Sequence, residues 1–108
     1  MHSPIVITGM GMVSPLGNSV NTSWQRLING QSGISTIDRF DTSSIPIKIA
    51  GVVPSISHDP TGGIDLDEIA DPKEQRKMDL FSLYALAAAK EALSQANWFP
   101  VGQAQKRR

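Results

Sequence analysis

Cysteine is absent from this 108-residue chain, so disulfides, zinc–thiolate centres and a thiol nucleophile are all excluded within it. Histidine is scarce, with only His2 and His58. One stands at the terminus and the other beside Asp59-Pro60, an arrangement that does not suggest a metal pair. There is no excess charge of either sign: ten Lys and Arg face ten Asp and Glu. Bulk electrostatics therefore predicts neither nucleic-acid nor membrane attraction, and a partner that recognises charge must use a local patch. No apolar run reaches the roughly 18 residues that a membrane span needs. The opening Met1-His2-Ser3-Pro4 has neither the basic region nor the apolar core of a secretory signal, so a cytosolic chain is the expectation.

What the sequence does have is concentrated first in the stretch from Pro4 to Asn18. Ile5-Val6-Ile7 is a β-branched run bounded by Pro4 and Gly9, the pattern of a strand buried on both faces of a parallel sheet. Gly9 and Gly11 permit a backbone path where a side chain would clash, and Pro15 and Gly17 delay the next regular element. Gly9-Met10-Gly11 also supplies the first two glycines of a dinucleotide-binding fingerprint. The third position is Ser14, however, and no strand ending in an acidic residue follows about 20 residues on. A glycine turn that lets a strand leave its sheet is the simpler reading, with a nucleotide-binding loop as the competing one.

Farther along, Val20, Trp24, Leu27 and Ile28 recur at helical spacing. They predict a helix over about Asn21 to Asn29, capped by Asn18, Ser19 or Asn21 and followed by Gly30. Trp24 on that apolar face is expected to be core, packed on the sheet. Residues 31–46 read as an ordered surface loop anchored by Ile34, Ile37 and Phe40. Pro46 to Val53 is the second strand candidate, with Lys48 marking a wet face or an edge, and Pro54 to Gly63 is a loop or an insertion. Asp65, Asp67, Glu68 and Asp71 precede Pro72, where acids suit a helix N-terminus. A long helix is expected from Met78 to Ala96, rich enough in alanine to approach another backbone closely. Asn97 is a plausible stop, Trp98-Phe99-Pro100 turns the chain away, and Gln103 to Arg108 is polar and basic.

This inventory, a parallel pair of strands with about three helices, is α/β in class and shows no boundary between independent domains. The strand Ile5 to Ile7 wants neighbours on both sides and layers on both faces, so the fold is expected to be incomplete within this chain. Lys73, Arg76 and Lys77 are the one functional constellation. At i, i+3 and i+4 they share a face if the segment is helical. Spacing alone favours a solvated helix face, partly neutralised by Glu74, over a docking site for an acidic partner.

The opening Ile7-Thr8-Gly9-Met10-Gly11-Met12-Val13-Ser14-Pro15-Leu16-Gly17 resembles the start of the β-ketoacyl-acyl-carrier-protein synthases, condensing enzymes of the thiolase fold. The likeness continues through Gly30-Gln31-Ser32-Gly33-Ile34, Arg39-Phe40-Asp41-Thr42-Ser43 and Lys73-Glu74-Gln75-Arg76-Lys77-Met78-Asp79. It is strongest to the elongating type II bacterial enzymes, and it covers nearly all of this chain but only the leading part of a family member. The resemblance implies that residues 1–108 are the N-terminal part of a five-layered αβαβα fold that pairs as a homodimer. It also implies that Lys73, Arg76 and Lys77 receive the acidic helix of acyl carrier protein, with no metal or cofactor. Family members load an acyl group onto a cysteine and use two histidines in the decarboxylating condensation. None of those positions exists here, so no catalytic residue is expected within the chain and it is predicted to be inactive alone. A carrier-binding module without catalysis is the alternative that keeps the same three cations functional.

Overall fold

The computed structural model describes residues 3–99. Its elements in chain order are α1 (Val20–Ile28), β1 (Ile34–Thr36), β2 (Ile49–Gly51), α2 (Leu66–Ile69), α3 (Pro72–Gln75) and α4 (Leu80–Ala96). The expectations placed on His2, Pro100 and Gln103 to Arg108 lie outside the described residues.

α1 starts where Ser19, in extended conformation, accepts the Thr22 N–H on its side chain, which satisfies one orphan donor of the first turn. It stops one residue before Asn29. Gly30 then takes φ 75°, its N–H donates to Leu27 O, and the Gln31 N–H donates to Arg26 O, so the last carbonyls are satisfied by a left-handed turn. The predicted helix is thus found one residue upstream of its expected bounds, with its glycine stop at Gly30 as expected. α4 ends in the same way, with Asn97 at φ 53° and the Trp98 N–H donating to Leu93 O.

The strands depart from expectation. Residues 3–13 form no β-ladder, and Ile5, Val6 and Ile7 are all exposed. A strand exists only through its hydrogen-bonded neighbours, and among the described residues none lies beside this run. The sheet that does form is antiparallel, not parallel: β1 pairs β2 through Ile34↔Gly51, Ser35↔Ala50 and Thr36↔Ile49. β1 falls inside the stretch expected to be loop, and β2 occupies only the middle of the expected strand Pro46 to Val53. The connection between them is closed by Lys48, whose Nζ donates to Thr42 O (2.6 Å) and Ile45 O (3.0 Å).

Instead of entering a sheet, the opening segment lies along α4. The Met10 N–H donates to Gln95 Oε1 (2.7 Å), and the Met12 N–H donates to Glu91 Oε1 (2.9 Å). Two amides two residues apart are therefore held by two side chains one helical turn apart. The glycines make this approach possible. A Cβ on Gly9 would overlap Ala92 O, and one on Gly11 would overlap Ala88 O, so the segment rests on the alanine face that the sequence suggested. Glu91 also accepts the Val20 N–H at 3.0 Å on Oε2, which ties the start of α1 to the same helix.

The hydrophobic core is small. Leu83 (2% exposed) and Ile64 (6%) are its only buried large apolar residues among those described. Trp24, expected to be core, is 57% exposed. It borders an open groove of about 670 Å³ with Met10, Met12, Leu16, Val20 and Leu27, because no sheet lies beneath α1 to receive it. The radius of gyration is 17.2 Å, against about 13 Å for a compact domain of roughly 100 residues. No described helix is long and apolar enough to cross a membrane.

Candidate functional site

The basic motif sits on a short turn between α2 and α4. Its geometry follows from local sequence. Asp71 is extended, and its Oδ1 accepts the Glu74 N–H at 2.8 Å, while Pro72 fills the first helical position, where no N–H is needed. α3 then lasts a single turn. Arg76 keeps right-handed helical dihedrals (φ −66°, ψ −21°), the Lys77 N–H donates to Glu74 O, and the Met78 N–H donates to Gln75 O. The turn thus continues through Met78 in tighter i→i+3 form. Asp79, again extended at ψ 158°, starts α4 afresh.

Lys73 lies in α3 and Arg76 and Lys77 in the turn that follows it, and all three are exposed. Among the described residues none of them forms an ion pair or a side-chain hydrogen bond, although Glu74 is their neighbour in sequence. The long helix expected from Met78 to Ala96 is found as α4, starting two residues later after the extended Asp79, so the basic turn is a separate unit whose direction is not dictated by the axis of α4.

What ties this unit down was not visible in the spacing. Gln75 Nε2 donates to Asp67 Oδ1 and to Ala70 O, each at 2.8 Å, and joins α3 to α2. Lys90 Nζ donates to Ile69 O at 2.5 Å and joins α2 to α4. Asp67 and Gln75 stand eight positions apart on different elements, a separation that no helical or strand period marks.

Two other polar clusters complete the picture. Arg26 donates through both terminal nitrogens to Asp59, and also to Leu16 O (2.9 Å) and Thr61 Oγ1 (3.1 Å). Its hydrogen bonds hold the Asp59 carboxyl well below the usual carboxylate range, against a partial burial that pushes the other way, and the Gly62 N–H adds to the lowering. Asp59 in turn raises Arg26. This is a clasp between α1 and the 54–64 loop. Ser55 Oγ lies 2.9 Å from His58 Nδ1, but His58 is exposed and no carboxylate is among its hydrogen-bond partners, so the pair lacks the orienting acid of a catalytic triad. The Gly9 to Gly11 turn cannot cradle a phosphate as the competing reading required, because the glycines are already occupied by the backbone of α4. No group of three or more metal-ligating side chains occurs among the described residues.

The sequence matches the family described as Beta-ketoacyl synthase, N-terminal domain, over residues 2–107. It is 44% identical over 96 residues to the 3-oxoacyl-[acyl-carrier-protein] synthase 2 of Rhizobium meliloti (strain 1021), covering 89% of this chain and 23% of that protein. The protein of the same name from Vibrio cholerae is 45% identical over 89 residues, 82% of this chain and 20% of the relative. That from Staphylococcus aureus (strain COL) is 39% identical over 92 residues, 85% and 20% respectively. The chain thus spans about a fifth to a quarter of the curated relatives it matches. On this match, this chain belongs to the β-ketoacyl synthase family, where it corresponds to the N-terminal domain.

Proposed function

We propose that this chain is the N-terminal segment of a 3-oxoacyl-acyl-carrier-protein synthase and that it contributes a docking surface for acyl carrier protein at Lys73, Arg76 and Lys77. The observation that carries the reading is the exposed, unpaired state of those three cations on one turn, in a chain whose relatives are named for a carrier-protein substrate. Arginine and lysine pair with the carboxylates and phosphate of an acidic partner, and a cluster of them steers its approach. The reaction is the decarboxylating condensation of fatty-acid elongation. An acyl group passes from the carrier's thioester to an enzyme thiolate and releases the carrier's thiol, malonyl loses carbon dioxide, and the resulting enolate attacks the acyl carbon and expels the enzyme thiolate. The nucleophile belongs to segments beyond this one, since the chain has no cysteine. A cytosolic setting and a homodimer go with this reading.

The test is a condensation assay with acyl- and malonyl-carrier protein. A family-length synthase carrying these residues as its N-terminal segment should release carbon dioxide and form 3-oxoacyl product, whereas the 108-residue chain alone should not exceed the buffer control. Condensation by the isolated chain, or its absence from the family-length protein, would overturn the proposal.

A further inference from the structure

A helix of four residues has no stability of its own, because nucleation costs more than one turn of hydrogen bonds returns. α3 nonetheless presents Lys73 and sets the dihedral path that places Arg76 and Lys77. Asp71 and Pro72 fix the local shape of this turn, but both belong to its own leading edge, so neither fixes where it points. The break at Asp79 means that α4 does not fix it either.

Gln75 does. It is the one residue of α3 that is not fully exposed, and its amide spends its two N–H donors on α2 and the linker after it, at Asp67 Oδ1 and Ala70 O. α2 is anchored in turn by Lys90 of α4 at Ile69 O. The path of hydrogen bonds therefore runs from the long helix through α2 to the side of α3, and the cations project from the rest of that same turn. We infer that Gln75 is a positioning residue for carrier recognition, holding the basic turn in the orientation in which its three cations converge on one acidic partner. This rests on the docking reading above and adds a residue that touches no substrate.

The chemistry of the position is specific. Alanine would remove both bonds, and an ionised glutamate would offer no donor while setting a carboxylate against Asp67. A loosened turn keeps its charges but must be ordered when the partner binds, and that ordering is subtracted from affinity. The loss should therefore appear in carrier binding, with the chemical step and the number of interacting charges untouched.

The experiment uses a family-length synthase carrying residues 1–108 as its N-terminal segment. Steady-state kinetics are measured with acyl-carrier-protein substrate and with a pantetheine thioester, at low and moderate salt. Gln75→Ala should raise KM for the carrier substrate roughly threefold to tenfold, the range that one or two hydrogen bonds support. Its kcat and its pantetheine kinetics should stay within about twofold of the unsubstituted protein, and its salt dependence should run parallel, because no charge has been removed. Asp67→Ala should raise the same KM, and Asp67→Asn, which keeps an acceptor oxygen, should restore it. Arg76→Glu with Lys77→Glu serves as the reference. A raised KM in that reference with no change in Gln75→Ala would leave docking intact and overturn the role of Gln75. No effect of the charge reversal would overturn the docking reading and this inference with it. Equal losses on both substrates in Gln75→Ala would mark a purely structural residue, again against the inference. Should Gln75→Ala fail to fold, the Asp67 pair decides, since equal KM in Asp67→Ala and Asp67→Asn contradicts the tether.

Discussion

Asp59 gathers three donors, one from α1 and two from its own loop: the guanidinium of Arg26, the Thr61 hydroxyl and the Gly62 N–H. The pair is partly exposed, with side chains 24% and 21% accessible, so its net worth is that of a well-made surface bridge, about 1 kcal/mol. The sign of its pH dependence follows from the lowered pKa of Asp59. The folded state favours the ionised carboxylate, so the contribution is complete at neutral pH. It begins to fall as pH drops past the unfolded value of about 3.9, and it is lost once the carboxyl is protonated in both states. Asp59→Asn should therefore speed exchange of the Gly62 amide about fivefold at pH 7, and the two proteins should converge in acid. Hydrogen exchange read residue by residue checks this; an unchanged Gly62 amide at pH 7 would show the clasp to be idle. None of it was legible in sequence, because Arg26 and Asp59 lie 33 positions apart and charge pairing over such a distance leaves no local pattern. Ser19, Gly30 and Asn97 were legible, because capping depends on a residue's own backbone preferences and on neighbours within one turn.

At the scale of elements, the central event is the packing of residues 9–12 on α4. The alanines and glycines announced a close approach, and the two backbones do meet, with Glu91 and Gln95 taking the amides that a neighbouring strand would otherwise take. Gly11→Ala should push this segment off Ala88, break the Met12 bond to Glu91 and cost about 1–3 kcal/mol. Gly30→Ala, where nothing lies within 4 Å and only the positive φ resists, should cost about 1 kcal/mol through that strain alone. Urea denaturation of the family-length protein, with exchange of the Met12 amide as local probe, separates the two: loss of Met12 protection should occur in the first variant only. The strand expected at Ile5 to Ile7 did not form because apolar character states a need for neighbours without supplying them. β1 was missed for the opposite reason. Ile34-Ser35-Thr36 sits in a Gly- and Ser-rich stretch that reads as loop until Ile49-Ala50-Gly51 pairs with it, and strand preference is largely a property of such context. The long helix was legible in its apolar pattern, while its start two residues later, after the extended Asp79, is a backbone event that periodicity does not register.

For the whole molecule, a zero formal charge leaves recognition to a local cluster. The cluster of Lys73, Arg76 and Lys77 is the one that the structure holds exposed and unpaired among its described residues. Much of the remaining surface is apolar, with Ile5, Val6, Ile7 and Phe81 open to solvent, the kind of surface that further protein layers cover. The chain belongs to the β-ketoacyl synthase family and spans about a fifth to a quarter of the length of the relatives it matches. The docking role proposed for the basic turn can be tested apart from the chemistry. The most direct measurement is kcat/KM of a family-length synthase carrying Arg76→Glu and Lys77→Glu, taken with acyl-carrier-protein substrate and with a short pantetheine thioester at low and moderate salt. The account predicts a loss of at least tenfold, about 1.4 kcal/mol, on the carrier substrate, since repulsion adds to lost pairing. That loss should shrink as salt rises, with the small thioester hardly affected. An unchanged carrier reaction would return the three cations to an ordinary solvated face, and equal losses on both substrates would mean that the turn had been damaged and not its recognition.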